Sequence, residues 1–428
     1  MRVHCSPNPV PVPAEEGVAF TLWGMPSHPD FGRVGASIPA SVVRKRMRPS
    51  GRAWDFLALA LGVIAADQTC LRQKSPDGWT RQIHLQVAVV EREVWSTQRN
   101  AVEKALRYLT GDIWHVEFIE GGSHPPRMST WTMRSRRPPS GDCVCLLSGG
   151  MDSLIGAIDL VSSGRTPAFV SQTARGDAEK QRLFSATVGP GLSHVQLNHD
   201  AVPPGQSERS QRARSIIFLA LATITASSLP AYRQGRPIEV YLPENGFISL
   251  NVPLTPLRRG SLSTRTTHPF FINAIQEVLE VLGINIELKN PYQFRTKGEM
   301  LERCSDQALL RRLALTSTSC GKFGRHGYRH CGRCVPCLVR RAAIARWGIA
   351  DTTGYVFDDL SISDQQHRHY DDVRSVAYAA HVVASSGVDE WAGSALSHAE
   401  LGDVGPFASV AERGIAELRS FLATAGAL

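Results

Sequence analysis

Asp142-Cys143-Val144-Cys145-Leu146-Leu147-Ser148-Gly149-Gly150-Met151-Asp152-Ser153 is the stretch that decides the fold. Val144 to Leu147 are apolar and read as a buried strand, and a helix follows the break at Ser148-Gly149-Gly150. Two adjacent glycines let the backbone turn sharply and approach an anion closely. N–H groups of the turn and of the first helical turn then face that anion, and the helix dipole favours it. Ser148 and Ser153 add hydroxyl donors. The spacing is neither that of a Walker A loop nor that of the dinucleotide GxGxxG fingerprint.

Outward from this turn, short apolar runs alternate with helical patterns. Strands are expected at 143–147, 168–172, 194–197, 239–242 and 285–288, and helices at 153–163, 211–227 and 270–282. That alternation predicts an α/β fold with a doubly wound parallel sheet. Upstream, 54–66 reads as an apolar helix, 82–90 as an alternating strand, 96–109 as an amphipathic helix, and Trp114, Val116 and Phe118 as a further strand. The proline-rich first twenty residues read as a loose lead-in. Residues 1–120 are therefore expected to form a small α+β accessory domain with no catalytic constellation. Residues 121–141, rich in Gly, Pro, Ser and Arg, read as a linker. The α/β domain is expected at 142–350, and a helical C-terminal extension at 351–428.

Composition bounds the function. The chain has 428 residues, 43% hydrophobic and 20% charged, which excludes a disordered or fibrous protein. The longest apolar stretches, 56–66 and 216–226, fall short of the ~20 residues a membrane span needs. With no secretory signal at the N-terminus, a cytoplasmic location is expected. The net charge of +8 suits anionic substrates, an acidic partner or nucleic acid, and does not separate them. Arginine-rich stretches at 44–52 and 134–137 are short, and a polar loop holds His367, Arg368 and His369.

Nine cysteines are present, and Cys320, Cys331, Cys334 and Cys337 crowd together in a C-x10-C-x2-C-x2-C array. Four thiolates with two CxxC steps suit tetrahedral zinc in a closed, structural site. An iron–sulfur cluster and a redox pair stay open, and His326 or His330 could replace one thiolate. Arg325, Arg329, Arg333 and Arg340 are placed to offset the thiolate charge. Cys5, Cys70, Cys143, Cys145 and Cys304 are expected as plain buried residues.

The hexapeptide Ser148–Ser153 resembles the PP-loop of N-type ATP pyrophosphatases, which cleave ATP to AMP and pyrophosphate. Together with RARSIIFLALA (212–222), NPYQFRTKGEML (290–301) and the cysteine array, it resembles the 7-cyano-7-deazaguanine synthase (QueC-like) family over residues 142–348. Ser215 stands where that family has Asn. Pro243-Glu244-Asn245-Gly246 and residues 263–269 replace two family segments that lie near the base substrate. The long ends resemble the QueC-like proteins of bacterial anti-phage systems.

The resemblance implies ATP-dependent activation of a 7-carboxy-7-deazaguanine-type carboxylate as an acyl-adenylate, then amide formation with an amine. Ammonia or an amino group on a partner protein of a defence operon would be the acceptor. It implies ATP, Mg2+ and structural Zn2+. Ser148, Gly149, Gly150, Met151, Asp152 and Ser153 would hold ATP, with Asp152, Arg214 and Lys297 catalytic. Glu244, Asn245, Arg265 and His268 would handle the substrate, although His268, before Pro269, also reads as a helix cap. A synthase releasing the free nitrile, a tRNA-modifying PP-loop enzyme and a nucleotide-binding scaffold are the alternatives, and an oligomer stays open.

Overall fold

A computed structural model describes all residues except 12, 14–16, 128–136, 175, 256–264, 363–371 and 397–400. Residues 134–136, 263–264 and 367–369, singled out above, lie outside the described residues.

Among the described residues, ten strands make two five-stranded sheets, both parallel throughout. The first half contributes β1 (Arg2–Ser6), β2 (Val18–Leu22), β3 (Gly32–Val34), β4 (Gln82–Ala88) and β5 (Ile113–Ile119), in the order β3-β2-β1-β4-β5. Its helices are α1 (Ile38–Arg44), α2 (Gly51–Thr69), α3 (Arg92–Ser96) and α4 (Arg99–Thr110). The second sheet contains β6 (Cys143–Leu146), β7 (Pro167–Gln172), β8 (His194–Leu197), β9 (Ile238–Tyr241) and β10 (Ile286–Lys289), in the order β10-β9-β6-β7-β8. Its helices are α5 (Met151–Ser162), α6 (Ala178–Val188), α7 (Arg214–Ala226), α8 (Pro230–Arg233), α9 (Gly246–Leu250) and α10 (Pro269–Val281). Then come α11 (Lys297–Arg303), α12 (Gln307–Leu313), α13 (Val335–Trp347), α14 (Asp372–Ser386), α15 (Val388–Leu396) and α16 (Gly405–Thr424).

The second sheet matches the alternation read from the sequence to within a residue or two at each strand. The first half does not match. Its strands are parallel, so it is α/β and not α+β. The alternation Ile83, Leu85, Val87 against His84 and Gln86 is the mark of a strand with one buried face, which usually means an antiparallel sheet. Here a parallel sheet leaves part of its outer face uncovered: Arg2, His84 and Glu117 are exposed, and His115 is half-buried. The first twenty residues are not a loose lead-in either. They supply β1, the central strand of the first sheet, with Val3 and Cys5 fully buried, and the start of β2. The prolines lie in the crossover between those strands.

α2 shows why the halves belong together. It is apolar on every side and buried from Ala53 to Thr69, as a helix packed on all faces must be. It lies on the first sheet and against α7, which in turn packs on β6, β7 and β9. α4 and α10 meet in the same way. A helix layer drawn from both halves is therefore enclosed by the two sheets, and one apolar core runs through it. At the other end α14, α15 and α16 gather around α13 and α9 over a second apolar core. No helix is long and apolar enough to cross a membrane, among the described residues.

Candidate functional site

In the second sheet β6 is flanked by β7 on one side and β9 on the other. The chain's direction of winding reverses between them, and crevices at the carboxyl ends of such strands are where α/β sheets bind ligands. Ser148-Gly149-Gly150 sits at that point, as the sequence predicts. Gly149 takes φ +91°, in the left-handed region. The turn is wired internally: the Ser148 N–H donates to Ser153 Oγ at 3.2 Å, the Gly150 N–H to Ser148 Oγ at 3.2 Å, and Ser153 Oγ–H to the Gly150 carbonyl at 2.9 Å. Two of the expected hydroxyl donors thus also shape the turn. Met151 is buried in the core beneath it. The Gly149→Ala variant is expected to lose about 1–2 kcal/mol of stability from its left-handed backbone, read as a lower urea midpoint.

On the β7 side of the turn lies a cavity of about 190 Å³, lined by Ser148, Gly150, Gln172, Asp177, Arg214 and Thr318 among others. Arg214, exposed at the start of α7, supplies the cation of this wall. Two buried acceptors of the lining, Gln172 Oε1 and Asp177 Oδ1, have no hydrogen-bond donor among the described residues. Burial pushes the Asp177 carboxyl up, against the downward pull of Thr318, Lys180 and Arg214. Gln172, Asp177 and Thr318 were not singled out in the sequence. Gln172 ends the neighbouring strand β7, Asp177 follows it, and Thr318 comes just before the cysteine array, so position relative to β7 and Cys320 was the signal available.

On the β9 side lies a second cluster. Asp152 is buried, and Lys297 Nζ donates to its Oδ1 at 2.5 Å. Its Oδ2 accepts from the Asn245 backbone N–H at 3.0 Å and from Asn245 Nδ2 at 2.7 Å. Burial pushes the Asp152 carboxyl up, but the Lys297 ammonium and the hydrogen bonds from Glu244 and Asn245 outweigh it and hold it below the usual carboxylate range. Burial and the Asp152 charge push Glu244 well above its range. Of these two hydrogen-bonded carboxyls, Asp152 is the one held towards its charged form and Glu244 the one pushed towards its protonated form. Asn245 also caps α9, its side chain accepting from the Ile248 N–H at 3.0 Å. Gly156 permits this loop to close in: a Cβ there would lie 2.3 Å from Pro243 Cγ. Lys297 opens α11 behind a capping box made by Thr296 and Glu299, and the C-terminal helix holds that turn. Arg413 donates to Glu299 at 2.7 Å, and Glu417 accepts from Thr296 and from Arg346.

Asp152, Glu244, Asn245 and Lys297 are thus brought together, and Arg214 faces the glycine turn from across the cavity. Arg265 and His268 are placed elsewhere. Arg265 stacks on Tyr108 of α4, 4.4 Å from the ring, and donates to the Tyr108 carbonyl. His268 is buried as the N-cap of α10, its Nδ1 accepting from the Phe270 N–H at 3.2 Å. Neither lines the cavity, and both serve the contact between α4 and α10.

Cys320, Cys331, Cys334 and Cys337 are all buried, with their sulfurs within 4.8 Å of one another. Cys320 and Cys334 Sγ are 3.8 Å apart, and Cys331 and Cys337 Sγ 3.9 Å. Zn–S bonds of about 2.3 Å at tetrahedral angles place sulfurs about 3.8 Å apart, so the four fit a metal such as zinc. Backbone N–H groups of Lys322, Cys331 and Cys334 point at sulfurs from 3.3 Å. Neither His326 nor His330 belongs to the group of side chains that could share an ion with these sulfurs, among the described residues, and His330 Nε2 accepts from the Ser319 N–H at 3.1 Å. Arg340, fully buried, braces Ser317 and the carbonyls of Ala314 and Leu315. Arg333 binds the carbonyls of Asp359, Leu360 and Ile362. These two arginines fasten loops to the knuckle. The knuckle reaches the glycine turn through Thr318, whose N–H donates to the Gly149 carbonyl at 3.0 Å. The remaining five cysteines are buried, as expected.

Compared with known proteins, the chain matches no family model and no curated relative.

Proposed function

We propose that the chain is an ATP-dependent, AMP- and pyrophosphate-forming ligase of the QueC-like kind, acting in anti-phage defence. The observation that carries this reading is the Ser148–Ser153 turn at the winding reversal, opening on a cavity with Arg214 across from it. A helix N-terminus and a guanidinium facing one small polar cavity suit a chain of phosphates. At about 190 Å³ the cavity is smaller than the ~300–1,000 Å³ that encloses a drug-sized ligand. It suits the pyrophosphate portion, with the nucleoside extending from its mouth. Gln172 Oε1 and Asp177 Oδ1 are the unpaired oxygens there, and they suit Mg2+, which takes oxygen ligands and would offset phosphate charge. The four cysteines would hold structural Zn2+.

In the reaction, an oxygen of a 7-carboxy-7-deazaguanine-type carboxylate attacks the α-phosphorus. The bond from that phosphorus to the β-bridging oxygen breaks, and pyrophosphate leaves with the electron pair. Arg214 stabilises the charge on the departing phosphates. An amine nitrogen then attacks the acyl carbon, a proton leaves the nitrogen, and AMP departs. Lys297 holds Asp152 in its charged form behind the glycine turn, where Asp152 fixes Asn245 and so the 243–246 loop. The acceptor is an amino group of a partner protein or ammonia.

The test is to incubate the purified chain with Mg-ATP and 7-carboxy-7-deazaguanine, adding ammonia or defence-operon partner proteins. Pyrophosphate, AMP and intact masses are measured. Carboxylate-dependent AMP release is expected, and a base-sized mass gain on a partner identifies a protein acceptor. A free nitrile makes the chain a synthase with added segments. ATP uptake without turnover in any mixture overturns the ligase reading.

A further inference from the structure

Between β8 and α7 the chain runs without helix or long strand, and this passage delivers Arg214 to the cavity wall. The first half of the molecule grips it at three places. At the first, Val202 bridges Arg33 antiparallel, and the Gly35 N–H donates to the His199 carbonyl at 2.6 Å. Ser37 donates to Asp200 there as well, through both its N–H and its hydroxyl. At the second, Glu208 accepts from the Arg72 N–H at 2.8 Å and from the Ser210 N–H at 2.7 Å, while its own N–H donates to the Gln68 carbonyl at 2.7 Å. At the third, Asp67 of α2 accepts through one oxygen from the N–H groups of Arg212 at 2.7 Å and Ala213 at 2.8 Å.

The third grip falls where α7 begins. The N-cap of α7 is Ala213, which has no side-chain oxygen, and the helix has no acidic residue in its first turn. A helix start without a capping side chain leaves N–H groups that need an acceptor and favours a nearby negative charge. Asp67 supplies both from another helix. It is itself held rigidly: its second oxygen accepts from Arg81 Nη2 at 2.6 Å, and Arg81 reaches Asp112 at 2.6 Å. Arg72 closes on Asp112 with two parallel bonds, 2.9 and 3.0 Å. Asp67, Arg81 and Asp112 are each no more than 2% exposed. A network of this kind is expensive to bury unless every member is paired, and nothing in it faces the cavity.

We infer that Asp67 is a positioning residue for Arg214: by capping α7 from α2, the first half of the chain completes the anion-binding wall of the second. This rests on the nucleotide reading above. Asp67 touches no ligand, so it acts on the site only through the start of α7.

The experiment uses the full chain with Asp67→Asn, Glu208→Gln, Arg214→Ala and the Asp67→Asn/Arg214→Ala pair. Glu208→Gln loosens the same passage from a partly exposed position, so it reports even if Asp67→Asn fails to fold. ATP affinity is measured by calorimetry and pyrophosphate release by steady-state kinetics. Asp67→Asn is expected to lower kcat/KM on the order of 10- to 100-fold, the scale of a displaced group. Glu208→Gln should do so more weakly, and the pair should be no worse than Arg214→Ala alone. Amide hydrogen exchange at residues 213–217, without nucleotide, is read on every variant. It should rise in Asp67→Asn and Glu208→Gln and stay unchanged in Arg214→Ala. Unchanged exchange in both Asp67→Asn and Glu208→Gln overturns the inference, and so does a loss that adds fully to that of Arg214→Ala. A wild-type chain that takes up no ATP overturns the nucleotide reading, an outcome the exchange rates distinguish from failure of the brace.

Discussion

Cys334→Ser is expected to leave the four-cysteine site unable to hold a metal such as zinc and to unfold the knuckle that holds the glycine turn. The four sulfurs are buried together, with spacings of 3.8 and 3.9 Å between opposite pairs. Without an ion, thiols take their place in a segment whose exposed loop has only one short 3-10 turn, Phe323–His326, to order it. Metal binding to such sites supplies about 10–16 kcal/mol of folding free energy, more than most whole domains retain as net stability. The damage will spread. Thr318 lies two residues before Cys320 and is bonded to Gly149, and Lys180 Nζ donates to its hydroxyl at 2.6 Å. Arg340 of α13 ties Ser317 to the same helix that carries Cys337. Loss of the ion therefore loosens one wall of the cavity as well as the knuckle. The expected result is one zinc per wild-type chain by elemental analysis, less than about a tenth of that in the variant, and a melting point lower by more than about 10 °C. ATP affinity should fall with it. Iron in place of zinc, with the visible absorbance of a cluster, would overturn the zinc assignment, and a variant as stable as wild type would overturn the structural role.

Lys297→Met will be the most damaging single change on the other side of the turn. It removes the ammonium from Asp152 and leaves a buried carboxylate facing Glu244. Breaking a buried pair by removing one partner costs about 3–5 kcal/mol, because the remaining charge is uncompensated. The pH dependence gives the sign. In the wild type Asp152 is held below its ordinary range, so its contribution is present above the unfolded carboxyl range and is lost as pH falls through the folded one. Without Lys297 the largest downward pull is gone and only the hydrogen bonds from Glu244 and Asn245 oppose burial, so the carboxyl takes up a proton more readily in the fold. The gap between variant and wild type should therefore be widest at neutral pH and narrow towards about pH 4. Lys297→Met/Asp152→Asn should recover much of the loss, since no unpaired charge stays behind. Urea midpoints at both pH values check this. A gap that does not change with pH would place the lysine's contribution in packing, and the double variant would then be no better than the single.

The second half of the chain was legible because its strands are short apolar runs, β7 buried throughout and β6 nearly so, flanked by glycine or polar turns, so pattern and fold agree. The Ser148–Ser153 turn and the four cysteines were legible for a related reason: their chemistry is local, and spacing alone brings the groups together. What was not legible depends on distant partners. Arg2 to Ser6 offers only Val3 and Cys5 between polar residues and runs straight into prolines, so it does not announce a central strand; only pairing with Val18–Leu22 and Gln82–Ala88 makes it one. Arg265 and His268 read as substrate groups because a cation and an imidazole beside a helix start suit that task. Tyr108, more than 150 residues away, takes both of them instead. Asp67 shows no signal at all in sequence. It is one of two aspartates, with Asp55, in a largely apolar helix, and its meaning comes from Arg212 and Ala213.

The helix layer enclosed by the two sheets also bears on how such a chain could arise. The composition of residues 121–141 reads as a linker between modules, yet the apolar faces of α7 and α10 are turned towards α2 and α4. An ancestor consisting of the second half alone would have needed polar residues, or another cover, on those same faces. Gaining or discarding the first sheet is therefore not a matter of cutting and splicing at that stretch. Separating the halves would lay bare apolar surface on both, so neither sheet can be removed without resurfacing the other.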